Sequence, residues 1–395
     1  MTIDEAKKLV VQAGRRLVES GLISRTWGNV SCRIDDSCFV ITPRGRDYLS
    51  LTPDEIVRVE IEDCSYIGNI KPSSEKGIHA EVYKLRPEIN FVIHTHQKNA
   101  SAVSASGILS ISNAIGAECL GDEVLCASYA LPGTKKLRNS VAAAVARSEG
   151  KAVIMRNHGA LCYGKSYEEA FLVASELENA CEDFLIRQYL RISQRTGFDA
   201  SEMRSFALSR ITGMVEKNSD CNMSPYCESK RTEKGFSLYT DNGDVIEVRN
   251  NSLNDALPGE VKLYKAIYEK HRNINYIIHS VAPDTAAVSC ANITSWPFLD
   301  DFAQIVGTSV KTVENDAAKI AAALNGASAV FIHNYGAICC GSSKGDAAAT
   351  AMVLEKNCKA LIAAALFENA KPINFMECKL MRLVYLKKYS KLNSH

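Results

Sequence analysis

Two segments of this amino-acid sequence occur twice, in the same order, once in each half of the chain. Residues 89–104 (INFVIHTHQKNASAVS) match residues 274–289 (INYIIHSVAPDTAAVS), and residues 152–164 (AVIMRNHGALCYG) match residues 329–341 (AVFIHNYGAICCG). Repeats of this length that keep their order indicate that a whole structural unit has been duplicated. The chain is therefore expected to fold as two related domains.

Chain length and one polar stretch place the boundary between the two copies. A single hydrophobic core usually stops growing near about 250 residues, and this chain has 395. The stretch 216–231 (EKNSDCNMSPYCESKR) is polar and has no regular periodicity, which is typical of a linker. We predict two tandem domains, residues 1–222 and residues 223–395.

The charge balance excludes several classes of partner. Lys and Arg number 46 against 45 Asp and Glu, so no net field would attract nucleic acid or an anionic membrane surface. No apolar run approaches the roughly 18 residues that a membrane-spanning helix needs. The N-terminus is a charged amphipathic segment without the apolar core of a signal peptide, so a cytoplasmic location and reduced thiols are expected. The expected partner is a small molecule.

Caps and hydrophobic periodicity predict several elements of the first half. Thr2 and Glu5 form a capping box before a helix with one apolar face. Ser73 or Ser74 is expected to cap a second helix, which ends before Pro87 and leads directly into the strand FVIHTH.

The first half also contains a candidate metal site. His94 and His96 are separated by one residue on the predicted strand, so both side chains project from the same side. His158 lies in an Asn-His-Gly turn between two predicted strands, where a third imidazole can converge. Three neutral imidazoles with an open fourth position form a typical catalytic zinc site. Glu75, at the start of the helix before this strand, can approach the same point.

The remaining histidines have simpler interpretations. His79 follows Glu75 by four residues on the same predicted helix, and we expect it to orient its neighbours rather than to bind metal. Structural or surface roles are expected for the histidines that have no partner at ligand spacing: His271, His279, His333 and His395.

Three short segments are candidates for binding a phosphate group. Ser73 and Ser74 stand at a predicted helix N-terminus, where free backbone N–H groups and hydroxyls suit an anion. Gly28-Asn29, and the turn that runs from Thr42 to Gly45, can supply further N–H donors. Each segment alone reads as an ordinary turn or cap, so the prediction rests on all three together.

The five motifs RTWGNVS, ITPRG, PSSE, HTH and NHG occur in an order that resembles the class II aldolase/adducin family. The resemblance covers about residues 1–215. It implies a three-layer α/β/α fold around a mainly antiparallel sheet for each half of the chain. It also implies a homo-oligomer with active sites where subunits meet.

The resemblance implies a role for each matching residue. It implies one zinc ion per chain, bound by His94, His96 and His158, with Glu75 as the acid/base. The residues that it implies for binding the substrate phosphate are Gly28, Asn29, Thr42, Gly45, Ser73 and Ser74. Arg44 and Arg46 are distinctive additions that can contact an anionic group. One departure is that the stretch SNAIGAE lacks the tyrosine of the aldolase that it most resembles, which leaves the exact substrate open.

The implied reaction is reversible cleavage of a ketose 1-phosphate to dihydroxyacetone phosphate and an aldehyde. Zinc would polarise the substrate oxygens and stabilise an enediolate, while Glu75 exchanges the proton. Two enzymes of the same family remain alternatives: a sugar-phosphate 4-epimerase, which has Asp in place of Glu75, and a methylthioribulose-phosphate dehydratase. An adducin-like binding module is the non-enzyme alternative, which an intact His-His-His-Glu set disfavours.

The second copy retains only part of this set. Glu260 and His279 correspond to Glu75 and His94, but Val281 takes the place of His96 and Tyr335 that of His158. Pro258-Gly259 likewise replaces the two serines. We predict that the second domain is non-catalytic and contributes to the oligomer interface.

Overall fold

The computed structural model divides into two compact units. The residues that it describes are 1–23, 28–213, 221–222, 224, 226–240, 242–251, 257 and 259–388. The first unit comprises mainly Met1–Ile192, and the second comprises Ser193–Leu366 with Pro372–Leu386. This division by contacts lies upstream of residue 222, and the predicted domain boundary at residue 222 stays a prediction. In the described part of the chain, no helix is long and apolar enough to cross a membrane.

The first unit is an α/β domain. Its helices are α1 (Ile3–Glu19), α2 (Lys76–Leu85), α3 (Lys98–Ser104), α4 (Lys135–Arg147) and α5 (Tyr167–Ser193). Its strands are β1 (Asn29–Arg33), β2 (Cys38–Ile41), β3 (Val57–Glu60), β4 (Phe91–Thr95), β5 (Ser110–Ser112), β6 (Glu123–Ala127), β7 (Ala152–Met155) and β8 (Gly159–Gly164). The capping box of Thr2 and Glu5 opens α1 as predicted.

These strands form one sheet in the order β3-β2-β1-β4-β8-β7-β6-β5 among the described residues. Every neighbouring pair is antiparallel except β6 with β7, so the predicted mainly antiparallel sheet is confirmed. Helices α2 and α4 pack on one face, with Val92 of β4 in that core. Helices α1 and α5 cover the other face, with Phe91 and Ile93 in the second core. The alternation of β4 side chains between two cores produces the three-layer arrangement.

The second unit repeats this plan. Its helices are α6 (Ala200–Thr212), α7 (Gly259–Lys270), α8 (Pro283–Cys290), α9 (Asp300–Ile305), α10 (Ala317–Ala323), α11 (Lys344–Ala364) and α12 (Phe375–Lys388). Its strands are β9 (Tyr226–Thr232), β10 (Gly235–Thr240), β11 (Val245–Arg249), β12 (Tyr276–Ser280), β13 (Thr312–Val313), β14 (Ala329–Ile332) and β15 (Gly336–Gly341). Within the described residues the sheet order is β11-β10-β9-β12-β15-β14-β13, and only β13 pairs in parallel. Helices α7 and α10 share a core with this sheet.

One arginine occupies the same place in both units, buried as Arg33 and half-buried as Arg231. The Arg33 guanidinium donates to Ile89 O (2.9 Å) and to Tyr83 O, and it lies over the Tyr83 ring. Arg231 donates in the same way to Ile274 O (2.8 Å) and to Tyr268 O (2.9 Å). Because a buried guanidinium needs several acceptors to offset its desolvation, this shared arrangement supports duplication of the fold.

Two local predictions were wrong. Helix α2 begins at Lys76 with Glu75 at the N-cap position, so neither Ser73 nor Ser74 is the cap residue. Ser73 Oγ instead accepts from the Glu75 backbone N–H (3.2 Å) in the turn before the helix. The second part of the predicted linker is strand β9, whose polar side chains find partners inside the fold, as Arg231 does. Residues 216–220, 223 and 225 of that linker lie outside the described residues.

Candidate active site

The three predicted histidines meet at one end of the central strands. His94 is the fourth residue of β4, and His158 lies in the turn between β7 and β8, as expected. The predicted strand included His96, but β4 ends at Thr95, so His96 lies one residue beyond the observed strand. Its backbone N–H donates to Leu22 O (3.1 Å). Because β4 pairs with β8, the turn that carries His158 is held beside the end of β4.

The three imidazoles form a buried cluster. Their ring centroids lie 4.6 Å apart for His94 and His96, 4.8 Å for His94 and His158, and 5.0 Å for His96 and His158. One nitrogen from each ring can be chosen such that all three atoms lie within 4.8 Å of one another. The His94 Nε2 to His158 Nε2 distance is 3.0 Å. A metal ion can be held where three or more His, Cys, Asp or Glu side chains bring their ligand atoms together. Among the described residues, these three histidines form such a group.

The hydrogen bond of His94 fixes which of its nitrogens faces the cluster. Its Nδ1 lies 2.9 Å from the carbonyl oxygen of Ala160, which can only accept, so Nδ1 carries the proton. Burial lowers the pKa of His94 well below its usual value, although Glu75 opposes that shift. The imidazole is therefore neutral, and the Nε2 lone pair points at His158 Nε2.

This donor set fits a divalent metal such as zinc. Two imidazole lone pairs that face each other at 3.0 Å repel unless a cation or a proton lies between them. Two nitrogens bound to one tetrahedral zinc at about 2.0–2.1 Å lie roughly 3.3 Å apart, close to the observed distance. The Nδ1–H bond to a backbone carbonyl is also the usual outer contact of a metal-binding histidine.

Glu75 faces the same cluster from the start of α2. Its carboxylate oxygens lie 3.2 Å from His158 Nε2 and 3.5 Å from His94 Nε2, and the side chain is buried. Asn29 Nδ2 donates to Glu75 Oε2 at 2.9 Å. Burial raises the pKa of Glu75, but the two imidazoles and the Asn29 amide outweigh it and hold the pKa well below the usual value. The side chain is therefore an ionised carboxylate aimed at the three imidazoles.

The predicted phosphate segments lie side by side. Ser73 N–H donates to Thr42 O (3.1 Å), Arg44 N–H donates to Lys71 O (2.9 Å), and Pro43 bridges to Pro72. The Thr42 hydroxyl is buried and accepts from Val30 N–H (3.2 Å), whereas Ser74 is exposed. The turn that begins at Thr42 therefore lies beside Ser73, and the Tyr48 hydroxyl, which contacts both Thr42 Oγ1 (3.3 Å) and Gly28 O (2.6 Å), connects the third segment to them.

The side chains around these segments also have partners within the protein. Asn29 directs its side-chain amide at Glu75 and His79. Arg46, the second of the distinctive arginines, is exposed and pairs with Glu55 (3.3 Å). Sequence reasoning also missed Tyr48, whose hydroxyl donates to Gly28 O (2.6 Å). No motif marks that tyrosine, because its role depends on a turn that joins distant residues.

Gly28 is required by the close approach of β1 to β4. Its φ of +113° suits glycine, and a Cβ there would lie 2.6 Å from the carbonyl oxygen of His94. Gly21 provides a matched comparison, since its φ is +71° and a Cβ there would meet nothing within 4 Å.

Gly28→Ala is therefore expected to be more destabilising than Gly21→Ala by about 1–3 kcal/mol in the free energy of unfolding, the typical cost of overpacking. Denaturant unfolding of both variants measures the difference, and metal content reports whether His94 has shifted. Equal stability of the two variants would show that β1 and β4 can separate without cost.

The second unit does not reproduce the cluster. His279 occupies the position of His94, but its Nε2 lies against the carbonyl oxygen of Tyr335, the residue that replaces His158. Glu260, which corresponds to Glu75, is exposed. The imidazole nitrogen that faces the cluster in the first unit is thus already hydrogen-bonded in the second.

Curated relatives match about half of this chain. A 5-deoxy-D-ribulose 1-phosphate aldolase of Bacillus thuringiensis is 31% identical over 181 residues, 45% of this chain and 83% of the relative. An L-fuculose phosphate aldolase of Escherichia coli is 32% identical over 187 residues, 47% of this chain and 85% of the relative. A 3-oxo-tetronate 4-phosphate decarboxylase of Haemophilus influenzae is 28% identical over 210 residues, 52% of this chain and 99% of the relative.

The family comparison accounts for both halves of the chain. The family described as Class II Aldolase and Adducin N-terminal domain matches residues 8–185 and again residues 222–362. These two matches agree with the internal repeat and with the two similar sheets, and the aldolase-named relatives support a lyase. The chain therefore belongs to the class II aldolase/adducin family, as a tandem arrangement of two family domains.

Proposed function

We propose that this protein is a zinc-dependent aldolase that reversibly cleaves a ketose 1-phosphate to dihydroxyacetone phosphate and an aldehyde. The observation that supports this most directly is the convergence of one buried carboxylate on three buried imidazoles. Two of the relatives are named as aldolases of a ketose phosphate, which is the substrate class proposed here.

In this proposal each group of the site has one task. His94, His96 and His158 would hold the metal, in their neutral form and with Nε2 of His94 as its donor atom. A divalent metal bound there would polarise the ketose oxygens and stabilise the negative charge that develops as the carbon–carbon bond breaks. Glu75, an ionised carboxylate within 3.5 Å of two of these imidazoles, takes and returns the substrate proton.

The phosphate is proposed to bind at the paired turns beside the cluster. The proposed binding residues are Gly28, Asn29, Thr42, Gly45, Ser73 and Ser74. The hydrogen bond of Ser73 N–H to Thr42 O and the contacts of Tyr48 Oη with Thr42 and Gly28 support this, because backbone N–H groups in adjacent turns suit a phosphate. The Ser74 hydroxyl is exposed and therefore accessible to it. This pairing of an anion site with a metal site is what a sugar phosphate requires.

The decarboxylase relative supports a second candidate. Loss of carbon dioxide from a 3-oxo acid phosphate also leaves negative charge beside a carbonyl, so the same metal and carboxylate suit it. This relative aligns over 99% of its own length, so the substrate panel below includes its reaction.

The direct test is a substrate panel on zinc-loaded protein. We expect dihydroxyacetone phosphate to be released from 5-deoxyribulose 1-phosphate or fuculose 1-phosphate, measured by a coupled dehydrogenase assay that consumes NADH. If the protein releases carbon dioxide from 3-oxo-tetronate 4-phosphate and cleaves neither ketose phosphate, the proposed activity becomes that of a decarboxylase. An isomeric or dehydrated product would favour the 4-epimerase or the methylthioribulose-phosphate dehydratase, and no turnover at all would favour an adducin-like binding module.

We further propose that residues 223–395 form a non-catalytic domain of a cytoplasmic homo-oligomer and contribute to its interface. Two observations support this: His279 Nε2 is already bonded to the Tyr335 carbonyl oxygen, and the exposed Glu260 belongs to no three-ligand cluster among the described residues.

His279→Ala and Glu260→Gln are accordingly expected to change kcat less than about twofold, as for changes away from the reacting groups. Steady-state kinetics tests the kcat, and light scattering after size-exclusion chromatography tests assembly. A large loss of kcat in either variant would assign chemistry to the second domain.

A further inference from the structure

A buried chain of hydrogen bonds runs from the core of the first unit to Glu75. Tyr83 Oη lies 2.7 Å from Ser31 Oγ, and Ser31 Oγ lies 2.6 Å from His79 Nδ1. His79 Nε2 contacts Asn29 Oδ1, and Asn29 Nδ2 lies 2.9 Å from Glu75 Oε2. All five side chains are at least nine-tenths buried, so water does not compete for these bonds.

The chemistry of the groups fixes the direction of every bond in this chain. The Glu75 carboxylate only accepts, so the Asn29 amide must present its NH2 group to it and its carbonyl oxygen to His79. That oxygen accepts as well, so His79 carries its proton on Nε2. Burial lowers the pKa of His79 to about 3, which leaves Nδ1 unprotonated at neutral pH. Ser31 therefore donates to Nδ1 and accepts from the Tyr83 hydroxyl.

The second unit shows which of these hydrogen bonds the fold itself retains. Tyr268 Oη still donates to Ser229 Oγ (3.1 Å), as Tyr83 does to Ser31. Tyr264, four residues after Glu260, stands where His79 stands, and its hydroxyl donates to the backbone oxygen of Tyr226 (3.0 Å). Cys227, two residues before Ser229, stands where Asn29 stands.

The copy that lacks the three-histidine cluster therefore keeps the tyrosine–serine pair and loses the two members that reach the carboxylate. If these side chains served only the fold, we would expect the second copy to keep all four, because β9 pairs with β12 as β1 pairs with β4. The difference between the copies follows the presence of the metal cluster.

We propose that His79 is a positioning residue: through the Asn29 amide it fixes the orientation of the Glu75 carboxylate towards the three imidazoles. The proposal rests on the proposed function of Glu75 as the acid/base. It places the side chain of Asn29 beside the proton-transfer group, and it leaves phosphate binding to the backbone N–H groups and hydroxyls of the neighbouring turns.

Kinetics of three variants tests this role. His79→Leu is expected to lower kcat by about 10- to 100-fold, as for residues that orient an active-site group, with KM within about threefold of wild type. His79→Gln, whose amide can again donate to Asn29, should recover most of the kcat. Tyr83→Phe is the matched control, since it removes only the outermost hydrogen bond, and it should change kcat less than about threefold.

A double variant separates positioning from a general structural effect. In a Glu75→Gln background, His79→Leu should cause no further loss of kcat, because His79 acts through that carboxylate. A full additional loss would overturn the proposal. So would a rise in KM at unchanged kcat, which would show that His79 and Asn29 serve phosphate binding. Bound zinc and the melting temperature are measured on every variant, so that loss of metal or fold is recognised.

Two further measurements do not depend on activity. Nitrogen-15 NMR of histidine-labelled wild-type protein should show His79 as the neutral Nε2–H tautomer at pH 7. A crystal structure of His79→Leu, or of His79→Gln if the leucine variant fails to fold, should show whether Asn29 and Glu75 keep their positions. An Nδ1–H tautomer, or an unmoved Glu75 in the leucine variant, would overturn the inference. If the wild type cleaves no sugar phosphate, the proposed function fails while these two results still stand.

Discussion

Glu75→Gln is expected to lower kcat for the best substrate by about 10²- to 10⁴-fold, the usual contribution of a general acid/base. This corresponds to roughly 2.7–5.5 kcal/mol of transition-state stabilisation. Glutamine has nearly the same shape as glutamate but does not accept a substrate proton at neutral pH. Because it keeps an oxygen for the Asn29 amide, the turn before α2 should stay folded.

The measurement for this variant needs three readouts. Steady-state kinetics gives kcat and KM, metal analysis gives the zinc content, and denaturant unfolding gives the stability. The expected pattern is a large loss of kcat with zinc and stability close to wild type.

Glu260→Gln is the matched control, since this glutamate occupies the same position in a copy without the cluster. If Glu75→Gln and Glu260→Gln were equally active, Glu75 would have to be reassigned to a structural role.

The sequence alone predicted those features of the structure that follow from a strict local period or from the internal repeat. The alternation of a strand places His94 and His96 on one side, and their ring centroids are indeed 4.6 Å apart although the strand ends between them. The repeat predicted two similar sheets, which the strand orders confirm. These inferences hold because they need only the geometry of one strand or a comparison of the chain with itself.

Contacts that depend on strand pairing could not be predicted. Asn29 and Glu75 are 46 residues apart, and they meet because β1 pairs with β4 in a register that sets Asn29 beside His94. A one-residue shift of that register would turn the Asn29 side chain to the other face. The motif Gly28-Asn29 does not specify this register, so the sequence predicted only that the segment supplies N–H donors to a phosphate, and not that the Asn29 amide contacts Glu75.

The predicted linker failed for a related physical reason. Strand β9 contains the polar residues Ser229 and Arg231, and its sequence does not alternate between apolar and polar residues. The Ser229 side chain is buried and its hydroxyl donates to Ser237 O (3.0 Å), and the half-buried Arg231 guanidinium donates to backbone oxygens. Hydrophobic patterning does not detect a buried polar group whose partners come from distant segments.

Replacement of His96 by valine, the residue at the equivalent position of the second copy, should abolish stoichiometric metal binding. His96→Val introduces the residue that the chain itself has at Val281, so the fold has a precedent for it at this position. Two histidines remain as ligands. The loss of metal affinity should exceed the loss of about 10- to 100-fold that follows removal of an outer contact of a metal site. We expect catalysis to fall with the metal, because no other described cluster brings three such ligands together.

His279→Ala is the control for that variant, because it removes an imidazole from the second copy, where Nε2 already faces the Tyr335 carbonyl. Metal analysis after dialysis should give about one zinc per chain for wild type and for His279→Ala, and far less for His96→Val. Chelation of wild-type zinc should likewise remove activity, and added Zn²⁺ should restore it, whereas His96→Val should regain little. Equal zinc in all three proteins would exclude His96 from the site. Zinc that depends on His279 as well would place a second metal in the copy that lacks two of the three imidazoles.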